Sequence, residues 1–126
     1  MKKKKKKIAL VTNSPNYIIQ ILEQNFNISN YFDEILSIDY EEAPLMAKPS
    51  SNGIEFVLRE LCAFEFEICK FKAIMIGDSE IDIIAAKKAG IFSCLLINKN
   101  NRKIDYQKWK EKPNYIINNF YGLLDI

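Results

Sequence analysis

Short apolar runs alternate with helical patterns along this chain, and that alternation limits its possible folds more than any other feature. The runs are rich in β-branched residues and lack polar alternation, which is typical of strands covered on both faces. They lie at residues 8–12, 34–38, 72–76 and 91–97. Because strand–helix–strand alternation builds parallel sheets with right-handed crossovers, the sequence predicts an α/β fold.

The segments between the runs have apolar residues at helical spacing and begin at residues that favour helix starts. The three helices are expected to begin at Ser14, at Ser50 or Ser51, and at Ser79. Gly90 ends the third helix. Beyond residue 98 the pattern weakens, and it predicts a polar loop, a short last strand at 115–117 and a short closing helix at 119–124.

The charge of the chain depends on a lysine run at its start. Removing Lys2–Lys7 from the 18 basic residues leaves 12 against 16 acidic ones, or −4, with no basic patch for nucleic acid. We divide the chain into a lysine-rich tail (1–7), expected to be solvated although it could bind polyanions, and one domain (8–126). No apolar run reaches the roughly 18 residues of a membrane span or the roughly 7–15 of a signal peptide, so a cytoplasmic location is expected.

The spacing of the cysteines and the lack of histidine limit the metal sites and catalytic mechanisms open to this chain. The chain has three widely spaced cysteines, no Cys-x-x-Cys pair and no histidine, which excludes the usual zinc sites and any histidine base within this chain. We expect Cys62, Cys69 and Cys94 to be small buried thiols in a reducing compartment.

Three polar features follow predicted strands, at the edge where parallel α/β sheets hold their ligands. The Thr12 hydroxyl and the next amides, from Asn13 on, can donate to a phosphate, although such residues before a helix are more often only caps. Lys48 precedes the second helix, and its ammonium group can neutralise a phosphoryl oxygen. A single lysine, however, is ordinarily a solvated surface residue.

The third feature is the segment Gly77-Asp78-Ser79-Glu80-Ile81-Asp82, directly after an apolar strand. Two carboxylates four residues apart, Asp78 at the strand end and Asp82 one helical turn later, suit a hard cation such as Mg²⁺. Gly77 lets the backbone turn sharply beneath them. The alternative is structural, with Asp78 as a plain helix N-cap and Asp82 as an exposed helix residue.

In this order the three features resemble motifs of the haloacid dehalogenase (HAD) superfamily of hydrolases. Residues 8–13 resemble its second motif, Lys48 its third, residues 77–90 its fourth and residues 113–117 its last strand. The resemblance covers residues 8–124 and implies a three-layer α/β/α Rossmann-like core. It is shared between phosphoglycolate phosphatases and pyrimidine 5′-nucleotidase-like members.

The resemblance also implies roles for individual residues. Thr12 and Asn13 are expected to bind a phosphoryl group, and Lys48 to steady it beside the nucleophile. Asp78 is expected to ligate Mg²⁺, and Asp82 either to bind the ion through water or to orient Lys48.

The family's first motif, Asp-x-Asp-x-Thr/Val, has no counterpart here, because no acidic residue precedes Thr12. In the family its first aspartate attacks phosphorus and the second is the general acid and base. The strand that carries the motif lies at the centre of the family's sheet, between the strands that are here 8–12 and 72–76. We therefore expect either that these strands close up or that another polypeptide, such as an N-terminal half, supplies the strand. Exposed edges would otherwise favour self-association.

The sequence thus predicts part of a Mg²⁺-dependent phosphomonoester hydrolase that acts on a phosphorylated small molecule and is inactive alone. We expect the chain to be the downstream half of a split, frameshifted or mis-started gene. Without the family's cap region the substrate cannot be named. The alternative is a non-catalytic phosphate- or partner-binding module whose sheet edges form the interface.

Overall fold

The protein is described by a computed structural model that covers residues 6–39, 41–62 and 65–125. In these residues the strands are β1 (Ala9–Thr12), β2 (Glu34–Ser37), β3 (Ile74–Gly77), β4 (Phe92–Leu96) and β5 (Tyr115–Ile117). The α-helices are α1 (Asn16–Phe26), α2 (Asn52–Cys62), α3 (Phe66–Cys69) and α4 (Glu80–Ala89). Short 3₁₀ turns include Lys70–Lys72 and Tyr106–Lys108, and another, Phe120–Asp125, ends the described chain.

The predicted α/β class with parallel strands is confirmed. Each predicted strand lies within two residues of its observed bounds, and the last one matches them. Pro15, rather than Ser14, is the residue that caps α1. The short helix α3 was not predicted, because four residues are too few to show helical periodicity. Among the described helices, none is both long and apolar enough to cross a bilayer.

The strands form two separate parallel sheets. One contains β1 and β2, with Ala9 opposite Glu34; the other has the order β3-β4-β5, with Ile74 opposite Phe92 and Cys94 opposite Tyr115. No ladder joins β1 to β3 in the part of the chain that the structure describes. Of the two outcomes expected for the centre of the sheet, direct pairing of these strands therefore does not occur.

Two helices hold the sheets together. Helix α2 contacts β1, β2 and α4, while α4 contacts β3 and β4. The core cluster consists of Ile54 and Leu58 from α2 and Ala85 and Ala89 from α4, with Met75 of β3 against it. The small alanines let the two helices approach closely, so both sheets belong to one packed body.

The lysine run is only partly described, since residues 1–5 lie outside the described ranges. Lys6 and Lys7 are exposed. The Lys7 ammonium group donates to the carbonyl of Leu61 at 2.9 Å, near the end of α2. A cation there complements the negative end of the helix dipole, and the contact holds the segment that leads into β1.

The prediction of three free thiols is wrong for two of them. Cys62 and Cys69 form a disulfide, with their Cα atoms 6.2 Å apart. Because α3 packs against α2, it brings Cys69 next to Cys62, and α3 was not predicted. Cys94 is free and buried, as expected, and burial raises the pKa of its thiol.

Candidate phosphate and metal site at the sheet edge

Lys48 links the carboxyl ends of the two sheets. It lies between β2 and α2, and its ammonium group donates to the carbonyl of Val11 in β1 at 3.1 Å. The same group pairs with Asp82 Oδ1 of α4 at 2.5 Å. The side chains of Lys48 and Asp82 are only 10% and 8% exposed. The predicted third-motif lysine is therefore not a solvated surface residue.

Asn13 holds the backbone of Lys48 in place. Its side-chain oxygen accepts a hydrogen bond from the Lys48 amide at 3.0 Å, and its side-chain nitrogen donates to the Lys48 carbonyl at 2.9 Å. This two-point contact fixes where the lysine side chain begins. Asn13 therefore lies in the site that the sequence predicted, with its side-chain amide directed to the protein backbone.

Thr12 ends β1 beside this lysine. Its hydroxyl oxygen accepts a hydrogen bond from the Ser14 amide at 3.1 Å. Ser37 of β2 fixes the same turn, since its hydroxyl donates to the Ser14 carbonyl at 2.6 Å. A hydroxyl that accepts from an amide keeps its own proton for a second partner. The hydroxyl proton of Thr12 is thus not used by this bond, and phosphate binding by Thr12 stays a prediction.

Asp82 is engaged through both carboxylate oxygens. Oδ1 pairs with Lys48, while Oδ2 accepts from the amides of Asp78 and Ser79 at 3.2 and 3.3 Å and from the Ser79 hydroxyl at 3.0 Å. Ser79, not Asp78, is the N-cap of α4, and Asp82 completes a capping box with it. The alternative is therefore wrong in both of its placements, since Asp78 is not the N-cap and Asp82 is buried, although Asp82 does help to cap α4. Its contact with Lys48 is the one that an orienting role requires.

Gly77 leaves room for that carboxylate. A Cβ atom added to this glycine would lie 2.3 Å from Asp82 Cβ and 2.4 Å from Asp82 Cγ and Oδ2. Among the described glycines only Gly90 has a positive φ. Close packing against Asp82, rather than a sharp turn, is therefore the reason for a glycine at position 77.

Gly77→Ala should lower the free energy of unfolding by about 1–3 kcal/mol, because the added methyl group displaces a buried, ion-paired carboxylate. Gly53→Ala is the matched control, since its methyl group first meets the flexible Cδ1 end of Ile38 at 2.7 Å. Urea unfolding followed by circular dichroism measures both changes. Equal stability of the two variants would contradict the packing described for Gly77.

Asn101 fixes the turn that carries Asp78. Its side-chain nitrogen donates to the carbonyls of Asp78 at 2.8 Å and Leu96 at 2.9 Å, and its oxygen accepts from the Asn98 amide at 2.6 Å. Asn101 is 8% exposed, whereas Asp78 is exposed. Sequence reasoning assigned this region only to a polar loop. Asn98 forms an Asx turn, in which its side-chain oxygen accepts from the Asn100 amide at 2.8 Å, but nothing in the sequence indicates the contact between Asn101 and Asp78.

A magnesium ion is compatible with part of this site. Mg²⁺ takes oxygen ligands and is commonly held by one or two carboxylates together with phosphate oxygens and water. Asp78 offers one exposed carboxylate, while both oxygens of Asp82 are already engaged. Within the described residues, no group of three or more Asp, Glu, Cys or His side chains is placed to hold a metal. Ligation by Asp78 and Asp82 remains a prediction.

The fold and the site together define a class of protein. Thr12 and Asp78 lie at the carboxyl ends of parallel strands, and the Lys48 ammonium group reaches the same edge through the Val11 carbonyl, which is where α/β domains bind ligands. The sequence model of the family described as haloacid dehalogenase-like hydrolase matches residues 1–96. The chain belongs to this family.

Known proteins agree with this assignment. The phosphoglycolate phosphatase of Vibrio vulnificus strain YJ016 is 28% identical over 120 residues, which are 94% of this chain and 48% of that protein. A haloacid dehalogenase-like hydrolase from Bacteroides fragilis has the same fold, with a TM-score of 0.74 at 21% identity over 97% of this chain and 53% of that one. The HAD hydrolase YfnB of Bacillus subtilis, solved bound to magnesium, gives 0.71 at 21% identity over 95% and 50%. The chain thus spans about half the length of the relatives it matches.

Proposed function

We propose that this chain forms the phosphate- and magnesium-binding part of a phosphomonoester hydrolase that acts on a phosphorylated small molecule. The observation that carries the proposal is the buried Lys48–Asp82 pair at the carboxyl edge of the sheets. Burying an ion pair costs desolvation energy and is weak evidence for a stabilising role. A fixed ammonium group at the edge where α/β domains bind ligands instead suits recognition of an anion.

Each residue of the site has a defined task in this proposal. The Thr12 hydroxyl donates to a phosphoryl oxygen, and the Lys48 ammonium group neutralises negative charge as the phosphoryl group is transferred. Asn13 and Asp82 are positioning residues, because they hold the backbone and the side chain of Lys48. Asp78 would hold Mg²⁺, which supplies charge neutralisation and Lewis-acid polarisation when bound.

The group that attacks phosphorus is proposed to come from polypeptide outside this chain. No acidic residue precedes Thr12, and the chain covers 48% of the length of the Vibrio vulnificus phosphatase. Positioning and charge stabilisation without a nucleophile leave no route through a covalent phospho-enzyme. The chain alone is then a binding half-site.

The isolated chain should therefore hydrolyse p-nitrophenyl phosphate in the presence of Mg²⁺ no faster than its Asp78→Asn variant. Release of p-nitrophenol, followed by absorbance, measures both rates. Magnesium-dependent turnover that Asp78→Asn abolishes would show that a nucleophile lies within this chain. Joining the chain to an upstream segment with the family's first motif should produce turnover, and failure to do so would overturn the proposed function.

A further inference from the structure

We propose that Asn101 is a positioning residue for the divalent cation, which it influences through the backbone of Asp78. The inference rests on the proposed function in one respect, since it takes Asp78 as the residue that holds Mg²⁺. It assigns a role in cation binding to the loop after β4, a part of the chain for which no functional residue was predicted. Its test measures cation binding and needs no turnover.

Asn101 is one of three polar residues that are buried within the described part of the chain, and it is 8% exposed. The other two are Asp82, which belongs to the site, and Ser93, which is hydrogen bonded to Asn114 before β5. A buried amide is costly unless its donors and its acceptor find partners. Asn101 meets that condition, because its side-chain nitrogen donates to two carbonyls and its oxygen accepts from an amide.

The two carbonyls that Asn101 binds lie just beyond the ladder between β3 and β4. The last pair of that ladder is Gly77 with Leu95, and Asp78 and Leu96 are the next residues along each chain segment. Asn101 donates to the Asp78 carbonyl at 2.8 Å and to the Leu96 carbonyl at 2.9 Å. Its side-chain amide therefore joins the two segments at the carboxyl edge of the sheet, where the candidate site lies.

The backbone of Asp78 is held on both sides. Its amide donates to Asp82 Oδ2 at 3.2 Å, while its carbonyl accepts from Asn101. Because the Asp82 carboxylate also pairs with Lys48, the backbone of Asp78 is tied both to the lysine and to the loop after β4. Asp78 is exposed, and its carboxylate is the polar group that it offers to a ligand.

Both charged residues that the proposed function assigns to the ligand are held in the same way. Asn13 binds the backbone of Lys48 through both ends of its side-chain amide, and Asn101 binds the carbonyl of Asp78. In each case a neutral amide from another loop fixes where a charged side chain begins. A carboxylate that is fixed in this way loses less freedom when it binds a cation. Partners that orient a metal ligand typically change metal affinity by about 10–100-fold.

A Mn²⁺ titration of the full chain tests this role, because Mn²⁺ takes oxygen ligands as Mg²⁺ does and water-proton relaxation measures its binding. The binding that Asp78→Asn removes defines the site among the 16 acidic residues of the chain. Asn101→Ala should raise the Kd of that binding by about tenfold. Asn114→Ala is the matched control, since it removes a hydrogen-bonded asparagine that precedes β5 at the opposite edge of the sheet. It should leave the Kd within about twofold of the parent value.

Asn101→Asp separates positioning from charge. The substitution keeps the size of the side chain and adds a negative charge beside Asp78, so charge alone would tighten cation binding. A carboxylate cannot donate to the two carbonyls, so positioning predicts that the Kd rises here too, by about tenfold.

Asn98→Ala is a milder change in the same loop. It removes the side-chain oxygen that accepts from the Asn100 amide at 2.8 Å, and it should raise the Kd by about threefold, as for the loss of one ordinary hydrogen bond. Circular dichroism checks the fold of each variant. If Asn101→Ala does not fold, Asn101→Asp and Asn98→Ala still decide the question.

Two kinds of failure are distinguishable in this experiment. An unchanged Kd in the Asn101 and Asn98 variants, or tighter binding by Asn101→Asp, would overturn the inference and leave the proposed function standing. An equal rise of the Kd in Asn114→Ala would also overturn it, because general stability rather than position would then set the affinity. A parent chain without any Asp78-dependent Mn²⁺ binding would overturn the magnesium assignment of the proposed function, and this inference with it.

Discussion

Lys48→Ala should reduce kcat by about 10²-fold or more in a protein that joins this chain to an upstream segment carrying the family's first motif. The lysine side chain is 10% exposed, and its ammonium group is fixed by Val11 and Asp82. A preorganised charge in a site with little water stabilises the transition state more than a mobile surface charge does. The variant removes this charge and leaves Asp82 buried without its partner.

Lys87→Ala is the matched control, because Lys87 is an exposed lysine of α4 and its loss removes the same charge. It should leave kcat within about twofold of the parent, as expected for a surface substitution remote from the site. Steady-state hydrolysis of p-nitrophenyl phosphate gives kcat and KM for each variant, and circular dichroism checks that each folds. A reconstituted enzyme that is indifferent to Lys48 would contradict the third-motif assignment.

The isolated chain should be soluble only as a dimer or larger assembly, or else aggregate or be loosely packed. The peptide groups of Ala9, Ile74 and Ile76 point away from the ladders with β2 and β4, and a group of this kind that loses water without gaining a partner costs about 1–3 kcal/mol. Total stability of a domain is only about 5–15 kcal/mol. Several such groups would therefore remove a large part of the free energy of unfolding. In addition, free strand edges favour pairing between chains.

Sedimentation velocity over a tenfold dilution measures the assembly state, and near-UV circular dichroism of Trp109 and the tyrosines measures packing. A sharply folded monomer at low micromolar concentration would contradict the cost assigned to the open edges. The chain would then be a self-sufficient binding domain.

Local patterns of the sequence were sufficient to predict most of the fold. The apolar run at 72–76 predicts β3, and Ser79 with Gly90 predicts the ends of α4, because strand composition and helix caps depend on near neighbours. The disulfide between Cys62 and Cys69 was not predicted, since it depends on the packing of a four-residue helix. The separation of β1 from β3 follows from tertiary packing and has no local signal.

The candidate site could also be predicted only in part, because local sequence patterns indicate strand ends but not tertiary contacts. The sequence identified Thr12, Lys48 and Asp78 as residues at the carboxyl ends of strands, since strand order places them at one edge. It did not predict that Asn13 would hold the Lys48 backbone or that Asn101 would hold the Asp78 carbonyl. Both contacts join loops distant in sequence, and amide side chains in loops give no indication of which partner they will find.

Reconstitution in trans tests the central claim most directly, namely that this chain is a phosphatase half-site that lacks only an external nucleophile strand. Increasing amounts of a separately expressed upstream segment carrying the first motif are added to a fixed amount of chain, with Mg²⁺ and p-nitrophenyl phosphate. We expect turnover that appears only with both polypeptides and Mg²⁺, saturates at one segment per chain and is lost with Asp78→Asn. A segment that binds the chain and yet gives no Mg²⁺-dependent turnover would contradict the claim.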